Sequence, residues 1–398
     1  FQEDPEPVIA HRTSPTNLGL YLLSTTVARD FGWIGILEMA KRLEEAIETI
    51  DNLRRFRGHF FNWYDTRDLR PLDPVYVSTV DSGNLAGHLI AMAQACRELV
   101  HRPLFGPEML EGMRDALQLL LESEEQAEHP RRAQTVTEAH LREAAETMSA
   151  VLDDPPTSLP EWVRWLEELE AQAENLLDIA RTLANDVEEE SRSEVLAWAR
   201  SVRCCVASHA RDVETAQLLE GLDASQKAET ALGHRLSALA LRAERMVQAM
   251  DFRFLFDSSR KLFSIGYRVA DGTLDPSCYD LLASEARLGS FVAIAKGDVS
   301  PPHWFLLGRA LTPVGRGAAL VSWSGSMFEY LMPLLVMQQP ARSLLDLTCR
   351  LVVARQIQYG AERTVPWGVS ESGHALRDVE LTYQYSNFGV PGLGLKRG

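Results

Sequence analysis

A long apolar stripe with helical spacing constrains the fold more than any other feature of the sequence. Across residues 160–187 the apolar side chains recur every three or four positions and share one helical face: Trp162, Trp165, Leu166, Leu169, Leu176 and Leu183. Shorter stripes of the same period cover residues 14–27, 37–53, 87–99 and 343–359. Strand-like runs such as FSIGYRV are short. The pattern predicts a mainly α architecture of antiparallel helical hairpins rather than a parallel α/β sheet.

Changes in composition divide the chain into three predicted parts. Residues 107–250 are acidic and rich in Ala and Leu, and we interpret them as a long helical insertion. Residues 1–106 and 251–398 flank this insertion. The charge runs inside it, such as EEE at 188–190, are typical of solvent-facing helix surfaces. We therefore expect the chemistry to lie in the two flanking parts.

The charge balance narrows the class of partner. The chain has 40 Lys and Arg against 56 Asp and Glu, a formal net charge of −16. Such a surface repels nucleic acid and anionic lipid, so neither is expected as the main partner. A neutral substrate fits better.

Cysteines, histidines and apolar runs give no sign of metal, disulfides or membrane. The cysteines are scattered and odd in number, so reduced and buried thiols are expected: Cys96, Cys204, Cys205, Cys278 and Cys349. His59, His88 and His374 share no metal-ligand spacing, and no metal is predicted. No apolar run is long enough to span a bilayer, so the segment itself is expected to be soluble. The chain starts with Phe rather than Met and is interpreted as a piece of a longer protein.

The sequence comes close to two familiar motifs but matches neither. The tail GVPGLGLKRG has no Lys after Gly394 and has Arg397 where a dinucleotide fingerprint needs glycine. The stretch GVSES at 368–372 misses the nucleophile elbow of serine hydrolases by its last residue. Neither nucleotide binding nor a serine hydrolase is favoured.

Glu285 has the surroundings of a general acid. Glycoside chemistry needs one protonated and one ionised carboxyl group. Asp275 and Pro276 predict the start of a helix, and Glu285 is expected inside that helix on an apolar face. Burial there is expected to raise the pKa of Glu285. A structural ion pair with Arg287 is the alternative.

Glu371 has the surroundings of an ionised carboxylate. It lies in a loop between Gly368 and Gly373 with a serine on each side, where N–H and hydroxyl groups stabilise an anion. Trp367 lies nearby, and flat aromatic rings pack against the C–H faces of sugars. The alternative is an ordinary exposed loop glutamate.

Further aromatic and polar clusters suggest a long groove for an oligosaccharide. The residues predicted to bind substrate there are Trp63, Tyr64, Asp65, Asp81, Asn84, Trp323, Ser324, Glu329, Tyr330, Trp367, His374, Tyr383, Tyr385 and Asn387. Core packing is the alternative for each single cluster.

Several long segments resemble one family. They are HRTSPTNLGLYLLSTTVARDFGWI, HFFNWYDT, STVDSGNLAGHL, YDLLASEARLGSFVAIAKGD, WSGSMFEYLMP, VPWGVSESG and YQYSNFGVPGLGLKRG. Together they look like the central cyclisation domain of bacterial cyclic β-1,2-glucan synthases. The similarity spans nearly the whole chain, and residues 107–249 carry little of it.

The resemblance implies a fold and a reaction. The fold is an (α/α)6 barrel (toroid) similar to glycoamylase-like proteins of glycoside hydrolase family 189, completed by residues beyond this chain. The reaction is the anomer-retaining cyclisation of linear β-1,2-glucan, with Glu285 as acid/base and Glu371 as nucleophile. No cofactor is implied for this domain. The neighbouring regions of the same polypeptide would be a glucosyltransferase that uses UDP-glucose and a phosphorylase-like region, at the cytoplasmic side of the inner membrane.

Three other functions remain open from the sequence, and one of them is a pure scaffold role that would rest on the acidic helical insertion. The same carboxylate pair could use water, which would make the domain a retaining endo-β-1,2-glucan hydrolase. A non-catalytic β-1,2-glucan-binding module could keep the groove without turnover.

Overall fold

A computed structural model describes residues 9–126, 132–185, 190–223, 226–227, 229–370 and 388–395. In this part of the chain the fold is mainly helical, as predicted. The helices are α1 (Pro15–Asp30), α2 (Ile36–Asp51), α3 (Thr79–Leu99), α4 (Pro107–Gln126), α5 (Arg132–Leu152), α6 (Leu159–Asn185), α7 (Glu190–Leu218), α8 (Ala231–Ala249), α9 (Arg287–Ala295), α10 (Pro302–Leu306), α11 (Met327–Leu331) and α12 (Leu344–Arg363). Short 3₁₀ turns cover Phe252–Leu255 and Met332–Leu335.

The chain divides into two compact units. The site unit consists of Phe1–Tyr21, Thr49–Ala91 and Ala243–Gly398, and the helical unit consists of Leu22–Glu48 and Met92–Arg242. The acidic segment at 107–250 lies almost wholly in the helical unit, which also takes in Leu22–Glu48. Its interpretation as an insertion stays a prediction.

The helical unit is held by the apolar faces of its long helices. Helices α4, α5, α6 and α7 pack against one another. The predicted stripe lies on α6, where Leu166, Leu169 and Leu176 are fully or almost fully buried. Because each helix has a buried and a charged face, the unit encloses an apolar core while keeping an acidic surface. None of the helices described is both long and apolar enough to cross a membrane.

Strands in the described residues are short and form small antiparallel sheets in the site unit. They are β1 (Arg12–Thr13), β2 (Arg55–Phe56), β3 (His59–Phe60), β4 (Tyr64–Asp65), β5 (Tyr76–Ser78), β6 (Phe256–Asp257), β7 (Leu262–Ser264), β8 (Gly266–Arg268), β9 (Thr273–Leu274), β10 (Cys278–Tyr279), β11 (Leu311–Val314) and β12 (Gly317–Leu320). The pairings are β1–β4, β2–β3, β5–β8–β9, β10–β7–β6 and β11–β12. Strands β7 and β8 confirm the predicted FSIGYRV run. In the β5–β8 pair, Val77 lies opposite Tyr267, which joins two parts of the site unit that are far apart in the chain.

Two predictions about local structure are wrong. The predicted helix does not start at Asp275: residues 275–286 contain β10 and a turn, and α9 begins at Arg287. The Asp275 backbone pairs with the β-sheet because its N–H donates to Gly266 O at 2.9 Å, so tertiary pairing overrides the local helix-start signal. The thiols were all expected to be buried, but Cys204 on α7 is exposed and Cys278 is half-buried.

Candidate active site

Two glycines bring α3 and α9 into backbone contact. A Cβ placed on Gly83 would lie 2.5 Å from the Cα of Gly289, so no larger side chain fits at position 83 without a shift. Glycine in a helix is normally unfavourable, and here its small size allows the close crossing. Next to Gly83 in the chain is Asn84, and four residues before Gly289 is Glu285. The crossing therefore brings these two side chains together.

Glu285 lies in the turn that precedes α9, not inside a helix. Its own side chain is half-buried, while its chain neighbours Ser284 and Ala286 are buried. Asn84 Nδ2 donates to Glu285 Oε2 at 3.3 Å. Glu285 is therefore partly buried in a turn rather than on the helical face that was predicted, and its apolar surroundings stay a prediction. A partly desolvated carboxyl group with one amide donor has the environment of a general acid/base.

A short polar chain orients the Asn84 amide. Thr16 Oγ1 donates to Asp81 Oδ1 at 2.6 Å, and Asn84 Nδ2 donates to the same Thr16 oxygen at 3.1 Å. Because the Thr16 hydroxyl has one hydrogen and gives it to Asp81, it accepts from Asn84. The amide nitrogen then faces Thr16 with one hydrogen and Glu285 with the other. Burial raises the pKa of Asp81.

Asp81 has a second amide neighbour. With the Asn62 amide turned so that its nitrogen faces the carboxylate, Nδ2 donates to Asp81 Oδ2 at 2.9 Å. The Asn62 oxygen then accepts from Trp63 Nε1 at 3.2 Å. Asp81 therefore joins the neighbourhood of Trp63 to that of Glu285 through hydrogen bonds.

Arg287 is buried directly behind the Glu285 turn. Its guanidinium donates to three carbonyl oxygens: Ser284 at 3.1 Å, Glu329 at 3.1 Å and Tyr330 at 2.7 Å. Burial lowers its pKa to about 10, and the nearby Cys349 and Glu285 act in the opposite direction. The side chain stays protonated at neutral pH. It ties the turn that carries Glu285 to the end of α11.

Glu329 is surrounded by donors from its own loop. Its carboxylate accepts from the hydroxyls of Ser322 (2.9 Å) and Ser324 (2.7 Å) and from the N–H groups of Trp323 (3.1 Å), Ser324 (3.1 Å), Gly325 (3.0 Å) and Ser326 (3.3 Å). Ser326 caps α11 by accepting from the Glu329 N–H, which completes a capping box. These bonds fix the loop at residues 322–326. The substrate role predicted for Glu329 and Ser324 stays a prediction.

The predicted tyrosines Tyr64 and Tyr330 are buried. Tyr64 Oη donates to Arg54 O at 2.6 Å, and burial raises its pKa to about 12. Tyr330 Oη lies 2.8 Å from Leu320 O and 3.0 Å from Leu393 O, and burial also raises its pKa. Both hydroxyls are bonded to backbone, which explains how they tolerate burial.

Asp65 and the predicted tryptophans differ in exposure. Asp65 forms a two-point ion pair with Arg67 at 2.6 and 3.0 Å, and these hydrogen bonds lower the pKa of Asp65. The Trp63 ring is 36% exposed, with the Arg12 guanidinium 5.1 Å from its centre, and Trp367 is 53% exposed. Trp323 is half-buried. Trp367 is thus open to a ligand, whereas the Arg12 guanidinium covers one face of the Trp63 ring.

Gln356 fixes the backbone near the second predicted glutamate. This buried α12 residue donates from Nε2 to Gly325 O at 3.2 Å and accepts at Oε1 from the Val369 N–H at 2.9 Å. The Val369 carbonyl accepts from the Met327 N–H at 2.9 Å. On the far side of residues 371–387, the Val390 N–H donates to Gly325 O at 3.1 Å. The described residues on both sides of that segment are therefore bonded to the same stretch, 325–327.

Five predicted site residues lie outside the described residues. They are Glu371, His374, Tyr383, Tyr385 and Asn387. Their roles stay predictions.

His59 and His88 make hydrogen bonds inside the fold. His59 Nδ1 lies 2.9 Å from Ser82 Oγ, and His88 Nδ1 lies 2.6 Å from Asn84 O. Burial lowers the pKa of both, to about 4 for His59. Among the residues described, no three His, Cys, Asp or Glu side chains are grouped so that they could hold a metal ion.

Sequence reasoning missed the residues that act through others. No local pattern encodes the long-range hydrogen bonds of Thr16 and Gln356, or those by which Arg287 anchors carbonyl groups. Only Gly83 and Gly289 could have been noticed in the sequence, because a glycine inside a helical stretch often marks a place where another backbone comes close.

Comparison with curated proteins finds a relative along the whole chain, and no family model matches. A curated protein, cyclic β-(1,2)-glucan synthase NdvB of Rhizobium meliloti (strain 1021), is 48% identical over 407 residues, which cover 100% of this chain. The chain spans 14% of the length of that relative.

Proposed function

The chain belongs to the cyclic β-(1,2)-glucan synthase family as a domain related to its central region, and from this premise we propose that it closes linear β-1,2-glucan into a ring. The proposed reaction is an anomer-retaining transglycosylation in which Glu285 is the acid/base and Glu371 the nucleophile. The relationship along the whole chain is the observation that carries the proposal. The proposed fold behind it is the (α/α)6 barrel with a helical insertion.

In the first step Glu371 attacks an internal anomeric carbon, and the bond from that carbon to the departing oxygen breaks. Glu285 delivers a proton to this oxygen, directly or through a sugar hydroxyl. Since Asn84 donates to Oε2, the transferable proton lies on Oε1 of Glu285. The Asn84 contact thus sets which oxygen acts as the acid.

In the second step Glu285 is ionised and removes the proton from the 2-hydroxyl at the non-reducing end of the same chain. That oxygen attacks the glycosyl-enzyme, the ring closes and Glu371 is released. The Asn84 N–H then stabilises the Glu285 carboxylate, because a hydrogen bond to the charged form favours it. Ring closure exceeds hydrolysis where the chain end is held in place and water is kept out. The exposed side chain of Trp367 and the partly exposed side chain of Trp63 are the contacts proposed to hold it.

The proposed setting is a larger synthase at the cytoplasmic side of the inner membrane. Glucosyltransferase and phosphorylase-like regions of the same polypeptide would be its partners. UDP-glucose would serve the transferase region, and the present domain would use no cofactor.

Product analysis tests the proposal. The domain is incubated with linear β-1,2-glucan, and products are separated by chromatography and mass spectrometry for the wild type, Glu285→Gln and Glu371→Gln. Cyclic products from the wild type are expected, with a loss of about 10²–10⁴-fold in Glu285→Gln, as is typical when a general acid/base is removed. Linear products alone would point to the hydrolase, and binding without turnover to the binding module.

A further inference from the structure

The helical unit contains a cavity that the proposed reaction does not use. Its volume is about 470 Å³, which is within the range of small-molecule sites. Two tryptophans, Trp33 and Trp198, line it together with charged side chains from α2, α4 and α7. We propose that this cavity is a second carbohydrate site, which binds a segment of the glucan chain against Trp33.

The turn that carries Trp33 is built by close backbone packing. This turn joins α1 to α2, and Gly32 in it has φ +73°, which favours glycine. A Cβ on Gly32 would lie 1.9 Å from Glu108 O, and a Cβ on Gly112 would lie 2.0 Å from Gly32 O. The turn therefore rests directly on the start of α4, at a distance that only glycine permits.

Buried polar groups of α7 hold the same turn. The Gly32 carbonyl lies 2.7 Å from His209 Nε2, and the Gly35 N–H donates to Ser208 Oγ at 2.7 Å. Asp212 accepts from the N–H groups of Ile36 (2.6 Å) and Leu37 (3.1 Å), which caps α2. Burying polar groups is unfavourable unless they are bonded, and each of these bonds satisfies a backbone group of the turn. The result is a preorganised turn.

This rigid turn presents an exposed aromatic surface. Trp33 is 49% exposed, and its indole N–H donates to Asp115 Oδ2 at 3.0 Å. The Phe31 ring lies 5.2 Å from the Trp33 ring. An aromatic side chain held in place before binding loses little entropy when a ligand stacks on it. Trp33 has the properties of a stacking platform.

Each arginine that lines the cavity is paired with a glutamate, which favours a neutral ligand. Glu38 accepts from Arg42 at 2.9 Å and from Arg211 at 3.2 Å. Arg203, the remaining arginine of the lining, pairs with Glu174 at 3.8 Å. A cavity with flat apolar faces and paired polar groups suits a sugar ring, which has C–H faces and hydroxyl edges. A charged ligand would have to break these pairs.

The inference rests on the proposed function only for the linkage of the glucan. The stacking surface itself follows from the residues around Trp33. A long chain that must return to its own end gains from a second point of attachment, because two linked sites raise the effective concentration of the chain.

Fluorine NMR of the protein labelled with 5-fluorotryptophan tests the site without relying on turnover. Resonances of Trp33, Trp63, Trp165 and Trp367 are assigned by single Trp→Phe substitutions, in a Glu285→Gln background that prevents the substrate from being consumed. On titration with β-1,2-linked glucose oligosaccharides, the Trp33 resonance is expected to shift and saturate. Trp165 is buried, so its resonance serves as the internal control, and its chemical shift is expected to stay unchanged.

Each outcome separates the two proposals. A shift at Trp63 or Trp367 with none at Trp33 would overturn the second site and leave the proposed function standing. A saturable shift at Trp33 without cyclic products in the wild-type assay would support the second site alone. A Trp33 shift caused by the other purified regions of a synthase and not by oligosaccharide would identify a protein-docking surface and overturn the carbohydrate site.

A binding measurement on variants provides the second test. Trp33→Ala in the Glu285→Gln background is expected to weaken oligosaccharide binding at this site by at least tenfold in calorimetry. The matched control is Phe305→Ala, which removes another aromatic ring that is 75% exposed and lies in the site unit. Equal affinities in the two variants would contradict the proposal. Circular dichroism checks that both fold.

Discussion

Gly83 of α3 lies against the backbone of Gly289 in α9, so closely that a Cβ on Gly83 would fall 2.5 Å from the Gly289 Cα. This contact lies beside the hydrogen bond from Asn84 to Glu285, whose residues are 201 positions apart in the chain. The geometry of the candidate acid/base therefore depends on a crossing of two helices.

Gly83→Ala is expected to destabilise the protein and to reduce activity. Alanine in a helix is favoured over glycine by about 1 kcal/mol, so a net loss would report the clash with Gly289. Overpacking typically costs about 1–3 kcal/mol. Urea unfolding gives the free energy of unfolding, and product formation gives the activity. Gly289→Ala is the control: its Cβ would lie 3.3 Å from Gly83 Cα, so a smaller loss is expected. An unchanged or raised stability of Gly83→Ala would contradict the close crossing.

Asn84→Ala is expected to slow the reaction more than it weakens substrate binding. Losing a hydrogen bond to a charged group is worth about 1.5–3 kcal/mol, roughly 10- to 150-fold in rate. Steady-state measurement of kcat and KM separates the two effects. Thr16→Val should show the same tendency to a lesser degree, and Thr16→Ser, which keeps the hydroxyl, should behave like the wild type. A change in KM alone would indicate that Asn84 contacts substrate instead of orienting Glu285.

Glu329→Gln is expected to lower stability, because only one of the two side-chain oxygens remains an acceptor. The new NH2 group would face either the N–H groups of Trp323 and Ser324 or the donors of Ser322, Ser324 and Gly325. Several charge-assisted bonds are lost, so the expected decrease is about 3 kcal/mol or more. Thermal unfolding measures it. Glu362→Gln on α12 is the control, since Glu362 is 47% exposed and should change stability by less than about 0.5 kcal/mol. Normal stability with a raised KM would favour the substrate role instead.

The stability of the fold is expected to decrease as the solution is acidified below pH 6.5. Burial lowers the pKa of His59 to about 4; the nearby charges of Lys296, Asp251 and Asp298 have smaller effects. Below its ordinary pKa the unfolded chain binds a proton that the folded protein does not, so the loss extends from pH 6.5 to about 4. It amounts to about 3 kcal/mol.

The variant His59→Gln isolates this contribution. His209, whose pKa burial lowers to about 4, acts in the same direction, whereas Asp212, whose pKa burial raises to about 6, acts in the opposite direction. The slope of wild-type stability against pH is therefore the sum of several groups. His59→Gln should reduce that slope by about one proton, whatever its stability at pH 7.5. Urea unfolding at several pH values gives the slopes. Parallel curves for the two proteins would contradict a neutral, buried His59.

Hydrophobic periodicity correctly predicted the helices and strands whose formation depends on the local pattern of residues. The stripe of Leu166, Leu169 and Leu176 gave α6 almost to its ends, and the run around Phe263 gave two short strands. These succeed because one buried face repeats at the period of the element itself. The helix start predicted at Asp275 was wrong for the opposite reason. The local capping signal was present, but the Asp275 backbone pairs with Gly266 instead of starting a helix.

The sequence by itself determined that the chain is mainly helical, that it is related to glucan synthases, and that Glu285 is a candidate acid/base. Tertiary structure alone decided what surrounds that residue. Asn84 reaches Glu285 because two glycines let two helices touch, and Glu329 is enclosed because a loop folds its N–H groups around it. Such contacts join residues far apart in the chain or depend on backbone direction. No local pattern of residue types encodes them, since the free energy that selects them comes from packing of the whole unit.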